Sequence, residues 1–213
     1  MPVQYGNVQL TWLGHDGFLI DGTKKIYIDP FQIEARDKPP ADYLLITHSH
    51  YDHFSVPDID HVIGPQTIVI CPPDCTSKLS KFSLKALKPL EPGSVYSDDF
   101  VHIVAVPAYN RNKQFHPRDN DWLGYVVTMD KVTIYHTGDT DLIPEMDDIE
   151  CNIALLPVSG TYVMTAEEAA QAAARIEPDV AIPMHWGNLI GTEDDAKQFK
   201  KLCKCDVTIL EKE

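Results

Sequence analysis

The chain has 213 residues, with 18 lysines and arginines against 32 aspartates and glutamates, which gives a formal net charge of −14 at pH 7. Its hydrophobic content of 44% and charged content of 23% exclude a disordered, collagen-like or coiled-coil chain. The length suits one domain, and we expect residues 1–213 to form it alone. The acidic balance disfavours a nucleic-acid partner, because phosphate backbones are bound by clustered lysine and arginine side chains.

The sequence shows no feature of a membrane or secreted protein. Its longest purely apolar runs, such as Ile153–Leu156, span only a few residues and cannot cross a bilayer. Residues 1–13 carry no lysine or arginine ahead of an apolar stretch, so we expect no signal peptide. The cysteines number five, an odd count that favours reduced thiols. We therefore expect a cytoplasmic protein without a membrane partner.

The first part of the chain is typical of short strands separated by turn residues. The expected strands here are Val8–Leu13, Phe18–Ile20, Lys25–Asp29, Tyr43–Thr47, Thr67–Cys71 and Val101–Val106. The last of these is nearly all apolar, which predicts a buried strand. Leu123–Met129 and Val132–His136 flank a polar dipeptide and predict a hairpin.

In the remaining part, strands alternate with helices. The expected strands are Asn152–Leu156, Val180–Ile182 and Val207–Leu210. Thr165 and Glu168 form a capping-box pattern that opens a helix ending at about Ile176. A second helix, capped by Thr192, is expected over about Glu193–Leu202. This order of elements indicates two sheets covered by helices, with each half of the chain supplying one sheet.

Three histidines and one aspartate follow the apolar strand Tyr43–Ile46 within six residues. Side chains two residues apart at a strand end point the same way, so His48 and His50 can reach one point in space. As the chain turns, Asp52 and His53 can reach a second point nearby. Imidazole nitrogen and carboxylate oxygen are ligands of zinc, and also of iron and manganese. The segment therefore predicts a metal site.

The segment His48–His53 resembles the His-x-His-x-Asp-His signature of the metallo-β-lactamase superfamily. Two later segments resemble further motifs of that family. Tyr135–Thr140 is similar to the segment that carries a bridging aspartate, here Asp139, and Ile182–Gly187 is similar to the one that carries the last histidine, here His185.

The resemblance extends from Trp12 to His185, and Asp29 matches the acidic residue that supports the metal loop in the family. It implies an α/β fold, a four-layer αββα sandwich of two mixed sheets flanked by helices. The chain looks most like a compact group of predicted zinc-dependent hydrolases related to ascorbate-phosphate lactonases.

One histidine departs from the family pattern. Relatives often place it just after a strand like Ala105–Ala108, where this chain has Tyr109 and Asn110. The candidates are His116, in the following loop, and His102, inside the preceding strand. We favour His116, because a loop residue beyond the strand end can reach the site, whereas His102 is expected to be a packed core histidine.

The resemblance implies a centre of two divalent metal ions, with zinc expected and manganese or iron as alternatives. The implied ligands are His48, His50 and His116 for the first ion, Asp52, His53 and His185 for the second, and Asp139 between them. Two such ions share and activate a hydroxide, which acts as the nucleophile. Asp52 is in addition a candidate catalytic proton acceptor.

Four residues are further candidates for supporting ligands or contacting substrate. Asp29 is expected to support the metal loop, and Tyr109 and Asn110 are candidates for contacts to substrate. His15 either lines the pocket as a donor to substrate or supports the centre from behind.

These features together predict a metal-dependent hydrolase of a small-molecule ester, lactone, amide or phosphodiester. One alternative is a nuclease or phosphodiesterase acting on nucleic acid, which the charge of −14 disfavours. Another is a non-catalytic metal-binding or sensing protein. Asp52 and Asp139 count against it, because a structural zinc closes its coordination with four ligands.

Overall fold

The computed structural model describes residues 2–34, 38–187 and 189–213, and these form two mixed sheets of seven strands each, flanked by helices. The first sheet contains β1 (Val3–Tyr5), β2 (Val8–Gly14), β3 (Gly17–Asp21), β4 (Lys25–Ile28), β5 (Tyr43–Leu45), β6 (Ile68–Cys71) and β7 (Ala86–Pro89), in that spatial order. The second sheet contains β8 (Val95–Ser97), β9 (Val101–Pro107), β10 (Leu123–Met129), β11 (Val132–His136), β12 (Ile153–Pro157), β13 (Val180–Met184) and β14 (Asp206–Val207), again as neighbours in chain order.

The helices lie in the connections between strands. They are α1 (Val56–Val62), α2 (Thr76–Leu79), α3 (Ala166–Ile176) and α4 (Glu193–Leu202), with 3₁₀ turns at Pro73–Cys75, Arg118–Asn120 and Pro144–Asp148. None of the helices in the described part of the chain is long and apolar enough to span a membrane.

Each sheet combines antiparallel and parallel pairing. In the first sheet, β1 to β4 pair antiparallel and β4 to β7 pair parallel. In the second, β8 to β11 pair antiparallel and β11 to β14 pair parallel. The expected four-layer sandwich, with each half of the chain supplying one sheet, is therefore confirmed. Because parallel strands end at the same edge, the loops after β4, β5, β11, β12 and β13 can meet there.

The strands are apolar on both faces because each sheet packs against the other sheet on one face and against helices on the other. Ile26 and Ile28 of β4 join the cluster between the sheets, whereas Tyr27 joins a cluster with Ile59 and Val62 of α1. A third cluster lies between the second sheet and the helices α3 and α4. Burial on both faces explains the continuous apolar runs.

The strand β9 differs from the prediction of a buried strand. Val101, Ile103 and Ala105 face the cluster between the sheets, whereas His102 is exposed. The expectation that His102 is a packed core histidine is therefore wrong, because this part of the second sheet is buried on one face and open on the other.

Helix α3 begins with the capping box that the sequence predicts. The backbone amide of Glu168 donates to Thr165 Oγ1 at 3.2 Å, and the amide of Thr165 donates to Glu168 Oε2 at 2.9 Å. Behind this cap, the alanines of one face, such as Ala169 and Ala172, are fully buried in the cluster beneath the helix. The short side chains allow the helix to approach the sheet closely.

We predict that Thr165→Ala lowers the free energy of unfolding by about 1 kcal/mol, because it removes the acceptor of a helix N-cap. Urea denaturation followed by circular dichroism measures the change. Thr161→Ala, at an exposed position of the loop before the helix, is the control and should change the free energy by less than about 0.5 kcal/mol. Equal effects of the two substitutions would show that the cap contributes nothing.

Candidate metal centre

Seven predicted ligands come together at the edge of the sandwich where the parallel strands end. They are His48, His50, Asp52 and His53 after β5, His116 in the loop after β9, Asp139 after β11, and His185 after β13. Asp139 lies at the centre of the group. Its Oδ2 is 3.1 Å from His116 Nε2 and 3.2 Å from His185 Nε2, and its Oδ1 is 3.4 Å from His53 Nε2.

On one side of Asp139, the ligand atoms of His48, His50 and His116 lie within 4.8 Å of one another. His48 Nε2 and His50 Nδ1 are 3.0 Å apart. A hydrogen bond or a shared ion accounts for that separation, since two nitrogens bound to one zinc at about 2.1 Å lie about 3 Å apart or slightly more. His48 and His116 are buried, and His50 is half-buried.

On the other side, the ligand atoms of Asp52, His53 and His185 lie within 4.8 Å of one another, together with those of His15. His53 Nε2 is 3.9 Å from Asp52 Oδ2. The Asp52 side chain is 18% exposed, whereas the His53 side chain is fully buried. The described residues thus form two adjoining ligand groups with Asp139 between them.

Four of the histidines are held from behind through Nδ1, which directs Nε2 to the centre. The contacts are His48 with Thr47 Oγ1 at 2.9 Å, His53 with Asp29 Oδ2 at 2.8 Å, His116 with Asn110 Oδ1 at 3.1 Å and His185 with Ser159 Oγ at 2.8 Å. Metal-binding histidines in proteins are usually oriented in this way.

The chemistry of the donor atoms fits a metal centre. His53 Nε2, His116 Nε2, His185 Nε2 and Asp139 Oδ1 are buried and, although they lie close together around Asp139, make no hydrogen bond of acceptable geometry. Buried polar atoms without a partner carry a desolvation penalty, so native proteins rarely leave them so. Divalent cations that accept imidazole nitrogen and carboxylate oxygen would satisfy all four atoms.

The charges in the centre shift several pKa values. Burial lowers the pKa of His48 well below its ordinary value, and the charge of His53 lowers it further. Burial also acts to lower the pKa of His53, but Asp139 and Asp29 outweigh it and raise that pKa well above its ordinary value. Burial acts to raise the pKa of Asp139, but the charges of His185 and His53 hold it well below its ordinary value. The lowered pKa of Asp139 favours the ionised form, which is the form that binds metal.

His15 supports Asp52 and also lines a cavity. Its Nε2 lies 3.1 Å from Asp52 Oδ2, and its carbonyl accepts hydrogen bonds from Trp12 Nε1 and the amide of His185. Burial lowers the pKa of His15 to about 4. Burial acts to raise the pKa of Asp52, but the hydrogen bond from His15 and the charge of His53 outweigh it, and the pKa falls to about 2. The neutral histidine therefore orients an ionised carboxylate.

Asp29 ties the ligand loop to the end of β4. Its carboxylate accepts hydrogen bonds from the amide and hydroxyl of Thr47 and from His53 Nδ1. Its backbone is in the left-handed region at φ +42°, which is unusual for a residue other than glycine. The structure thus places Asp29 behind the ligands, where the resemblance implies it.

Asn110 and Tyr109 have different surroundings. Asn110 Oδ1 accepts hydrogen bonds from the amide and ring of His116, and its Nδ2 donates to Asp141 Oδ1 at 3.2 Å. The hydroxyl of Tyr109 donates to Glu145 at 3.0 Å, and its ring packs in the cluster beneath α3. Asn110 therefore positions a ligand, whereas the structure does not bring the Tyr109 side chain to the ligand groups.

Three further polar residues contribute to the centre, of which Thr47 and Asp16 are not among the sequence-based candidates. Ser159 follows β12 and contacts His185, as described above. Asp16 follows His15 in the turn between β2 and β3, is fully buried, and has ligand atoms within 4.8 Å of those of Asp139 and His185. Burial, and next the charge of Asp139, raise the pKa of Asp16 well above its ordinary value. An acidic residue in a turn between two apolar strands is the one signal that could have indicated it.

A cavity of about 490 Å³ adjoins the centre at His15. Its walls include the rings of Trp12, Phe31 and Trp186, and Trp12 and Trp186 stack with ring centroids 4.7 Å apart. Lys212 and other charged side chains lie among the lining residues. This volume and these walls are typical of a pocket for a small molecule.

A two-sheet sandwich with histidines and aspartates at the ends of its parallel strands is typical of a class of metal-dependent hydrolases. Comparisons of this chain with known families, proteins and structures give the same class. Residues 9–185 match the model of the β-lactamase superfamily domain. The chain is 31% identical over 212 residues to a UPF0173 metal-dependent hydrolase of Archaeoglobus fulgidus, covering 92% of this chain and 91% of that protein. It is 34% identical over 222 residues to another in Pyrococcus furiosus, covering 95% and 96%.

A crystal structure named as a metal-dependent hydrolase from Parabacteroides distasonis has a TM-score of 0.88 to this protein, with 31% identity and 99% of each chain covered. This chain belongs to the metallo-β-lactamase superfamily.

We predict that His116→Ala lowers the amount of metal bound per chain, because it removes a buried imidazole directed at Asp139. Elemental analysis after metal-replete expression measures the loss. His102→Ala, at the exposed position on β9, is the matched control and should retain the wild-type metal content. Loss of metal in the His102 variant alone would show that the third histidine of the first group is assigned wrongly.

We also predict that Ser159→Ala weakens metal binding by about 10- to 100-fold, the usual effect of removing a group that orients a metal ligand. Competition with a chromophoric chelator measures the affinity. Ser94→Ala is the control, since Ser94 Oγ contacts only the amide of Glu91 among the hydrogen bonds described. Unchanged affinity in the Ser159 variant would mean that His185 keeps its orientation without the hydroxyl.

Proposed function

We propose that this metal-dependent hydrolase cleaves a small-molecule ester, lactone, amide or phosphodiester at a centre of two divalent ions, with zinc the expected metal and manganese or iron the alternatives. The observation that carries the proposal is the set of buried, unpartnered ligand atoms around Asp139. A protein without ions would leave these atoms unsatisfied, and a single closed four-ligand site would not use both ligand groups.

The ligand groups divide between the two proposed ion positions. The first position has His48, His50 and His116, the second has Asp52, His53 and His185, and Asp139 lies between them. Bound divalent ions supply Lewis acidity toward a carbonyl or phosphoryl oxygen and make water a stronger nucleophile near neutral pH. The imidazoles are held with Nε2 facing the centre by Asn110, Ser159, Asp29 and Thr47. The site therefore does not need to reorganise during the reaction.

Asp52 has a second proposed role. Its carboxylate is partly exposed, so Oδ2 can accept a proton from a water molecule that enters the centre. His15 Nε2 holds that oxygen at 3.1 Å and so fixes its orientation. The carboxylate can then pass the proton to solvent or to the leaving group. Acid–base catalysis of this kind typically contributes 10²- to 10⁴-fold.

The surroundings of the centre favour a small substrate. The adjoining cavity of about 490 Å³ falls in the range of small-molecule pockets. Its aromatic walls suit a substrate with an apolar part, which would lie beside His15 and Asp52. The net charge of −14 disfavours long-range attraction of nucleic acid. We therefore propose that the protein is a cytoplasmic hydrolase of a small molecule and has no nucleic-acid or membrane partner.

We predict close to two divalent ions per chain by elemental analysis, and hydrolysis of at least one member of a panel of lactones, esters, amides and phosphodiesters. Asp52→Ala should lower turnover by at least 10²-fold, because it removes both a ligand and the proton acceptor. Asp60→Ala, at an exposed position of α1, is the control and should retain wild-type turnover.

Two outcomes would count against the proposal in different ways. A metal content near zero after metal-replete expression would overturn the metal centre itself. A fully metallated protein that turns over no member of the panel would favour the non-catalytic metal-binding or sensing function instead.

A further inference from the structure

Asp16 is a buried aspartate whose two carboxyl oxygens both lack a hydrogen-bond partner among the described residues. It lies in the turn between β2 and β3, and its exposure is 0%. The turn is fixed in place, since the carbonyl of Asp16 accepts a hydrogen bond from His136 Nε2 at 2.9 Å. An ionisable side chain held so firmly without a partner requires a physical explanation.

The protein groups near Asp16 do not satisfy it. His53 Nδ1 is 3.9 Å from Asp16 Oδ2, but that nitrogen already contacts Asp29 Oδ2 at 2.8 Å. Asp139, the neighbouring carboxylate, has an unpartnered oxygen of its own. Two carboxyl groups that face one another in a buried site either share a proton or bind a cation, because two carboxylates side by side repel.

The distances place Asp16 near Asp139 and His185, two of the residues proposed to hold the second ion. The ligand atoms of Asp16, Asp139 and His185 lie within 4.8 Å of one another. Two ligands on opposite sides of one ion, with bonds of 2.0–2.2 Å, are about 4.2 Å apart. A small adjustment of a side chain therefore brings Asp16 into contact with an ion that His185 and Asp139 hold.

We propose that Asp16 is a further carboxylate ligand of the second ion and that it directs this position toward manganese or iron rather than zinc. The assignment rests on the two-ion centre proposed above. It gives the second ion three carboxylates, from Asp16, Asp52 and Asp139, besides two imidazoles.

This ligand set explains the proposed preference. Zinc is satisfied by four ligands in a tetrahedron, whereas five protein ligands rich in oxygen suit ions of higher coordination number such as Mn²⁺ and Fe²⁺. The first position, with three imidazoles and Asp139, keeps the character of a zinc site. Charge balance supports Asp16 as a ligand of either kind of ion, because three carboxylates offset most of the charge of two divalent ions in a buried centre.

The experiment titrates metal-free protein with Mn²⁺ alone, and separately with Zn²⁺ alone. Free Mn²⁺ is counted by its electron paramagnetic resonance signal, and Zn²⁺ by competition with a chromophoric chelator. We expect Asp16→Asn to weaken Mn²⁺ binding by at least 10-fold while the tighter Zn²⁺ equivalent changes by less than 3-fold, so that the ratio of the two affinities shifts. A merely structural role of Asp16 would affect both ions alike.

Asp58→Asn is the matched control. Asp58 is also a buried aspartate, but its carboxylate accepts hydrogen bonds from the amides of Gln32 and Ile33 and from Ser55 rather than facing the centre. It should leave the ratio unchanged. Circular dichroism checks that each metal-free variant is folded, and Asp16→Ser serves in place of the asparagine variant where the amide does not fit.

The possible failures are distinguishable. An unchanged ratio of Mn²⁺ to Zn²⁺ affinity in both Asp16 variants overturns the assignment and leaves the two-ion centre standing. A wild-type protein that binds neither ion overturns the proposed function and the assignment together.

Discussion

The buried carboxylate of Asp139 is the group on which the rest of the centre depends. Its side chain is 4% exposed, and removing a carboxylate from water costs several kcal/mol unless opposite charge compensates it. The groups nearest this carboxylate are three imidazoles from three different loops, those of His53, His116 and His185. The three loops must therefore reach the same point in space, and the fold brings them there.

Parallel pairing explains why these loops meet. Asp29 and the His48–His53 segment follow β4 and β5 in the first sheet, and Asp139 and His185 follow β11 and β13 in the second. Neighbouring parallel strands end at one edge of their sheet, and packing the sheets face to face brings the two edges together. The histidine at position 116 is the exception, since it follows an antiparallel strand and depends on Asn110 for its orientation.

Most of the strands, both long helices and all seven candidate ligand residues could be predicted from the sequence, because most of their signals are local. A capping box, an apolar run or a His-x-His-x-Asp-His segment is complete within a few residues. Elements that depend on tertiary partners were missed. The predicted elements do not include α1, which follows the ligand loop, or the strands β1, β7 and β8 at or near the sheet edges, and the last strand is shorter than Val207–Leu210.

The same limit applies to the supporting residues of the centre. Choosing His116 over His102 needed only the rule that ligands lie beyond strand ends, and the structure places His116 in the first ligand group. Expecting His102 to be packed in the core was wrong, because no local pattern says which strand face a helix covers. Asp16 was missed for a related reason. It lies beside Asp139 and His185, which are distant from it in sequence.

The backbone of the centre indicates how tightly these parts depend on one another. His15, Asp29 and His185 have φ values of +52°, +42° and +58°, a region that costs residues other than glycine about 1 kcal/mol or more each. Gly138, at φ +62°, precedes Asp139 where a Cβ would lie 2.6 Å from the carbonyl of Leu123.

Such strain persists only where surrounding contacts over-determine it. One of those contacts is a hydrogen bond that joins two strained residues directly: the amide of His185 donates to the carbonyl of His15. Ions that satisfy the unpartnered atoms around Asp139 would add the remaining contacts. The stability of the strained loops and the binding of metal are then one equilibrium, because ligands that bind only the folded state stabilise it in proportion to the logarithm of their concentration over Kd.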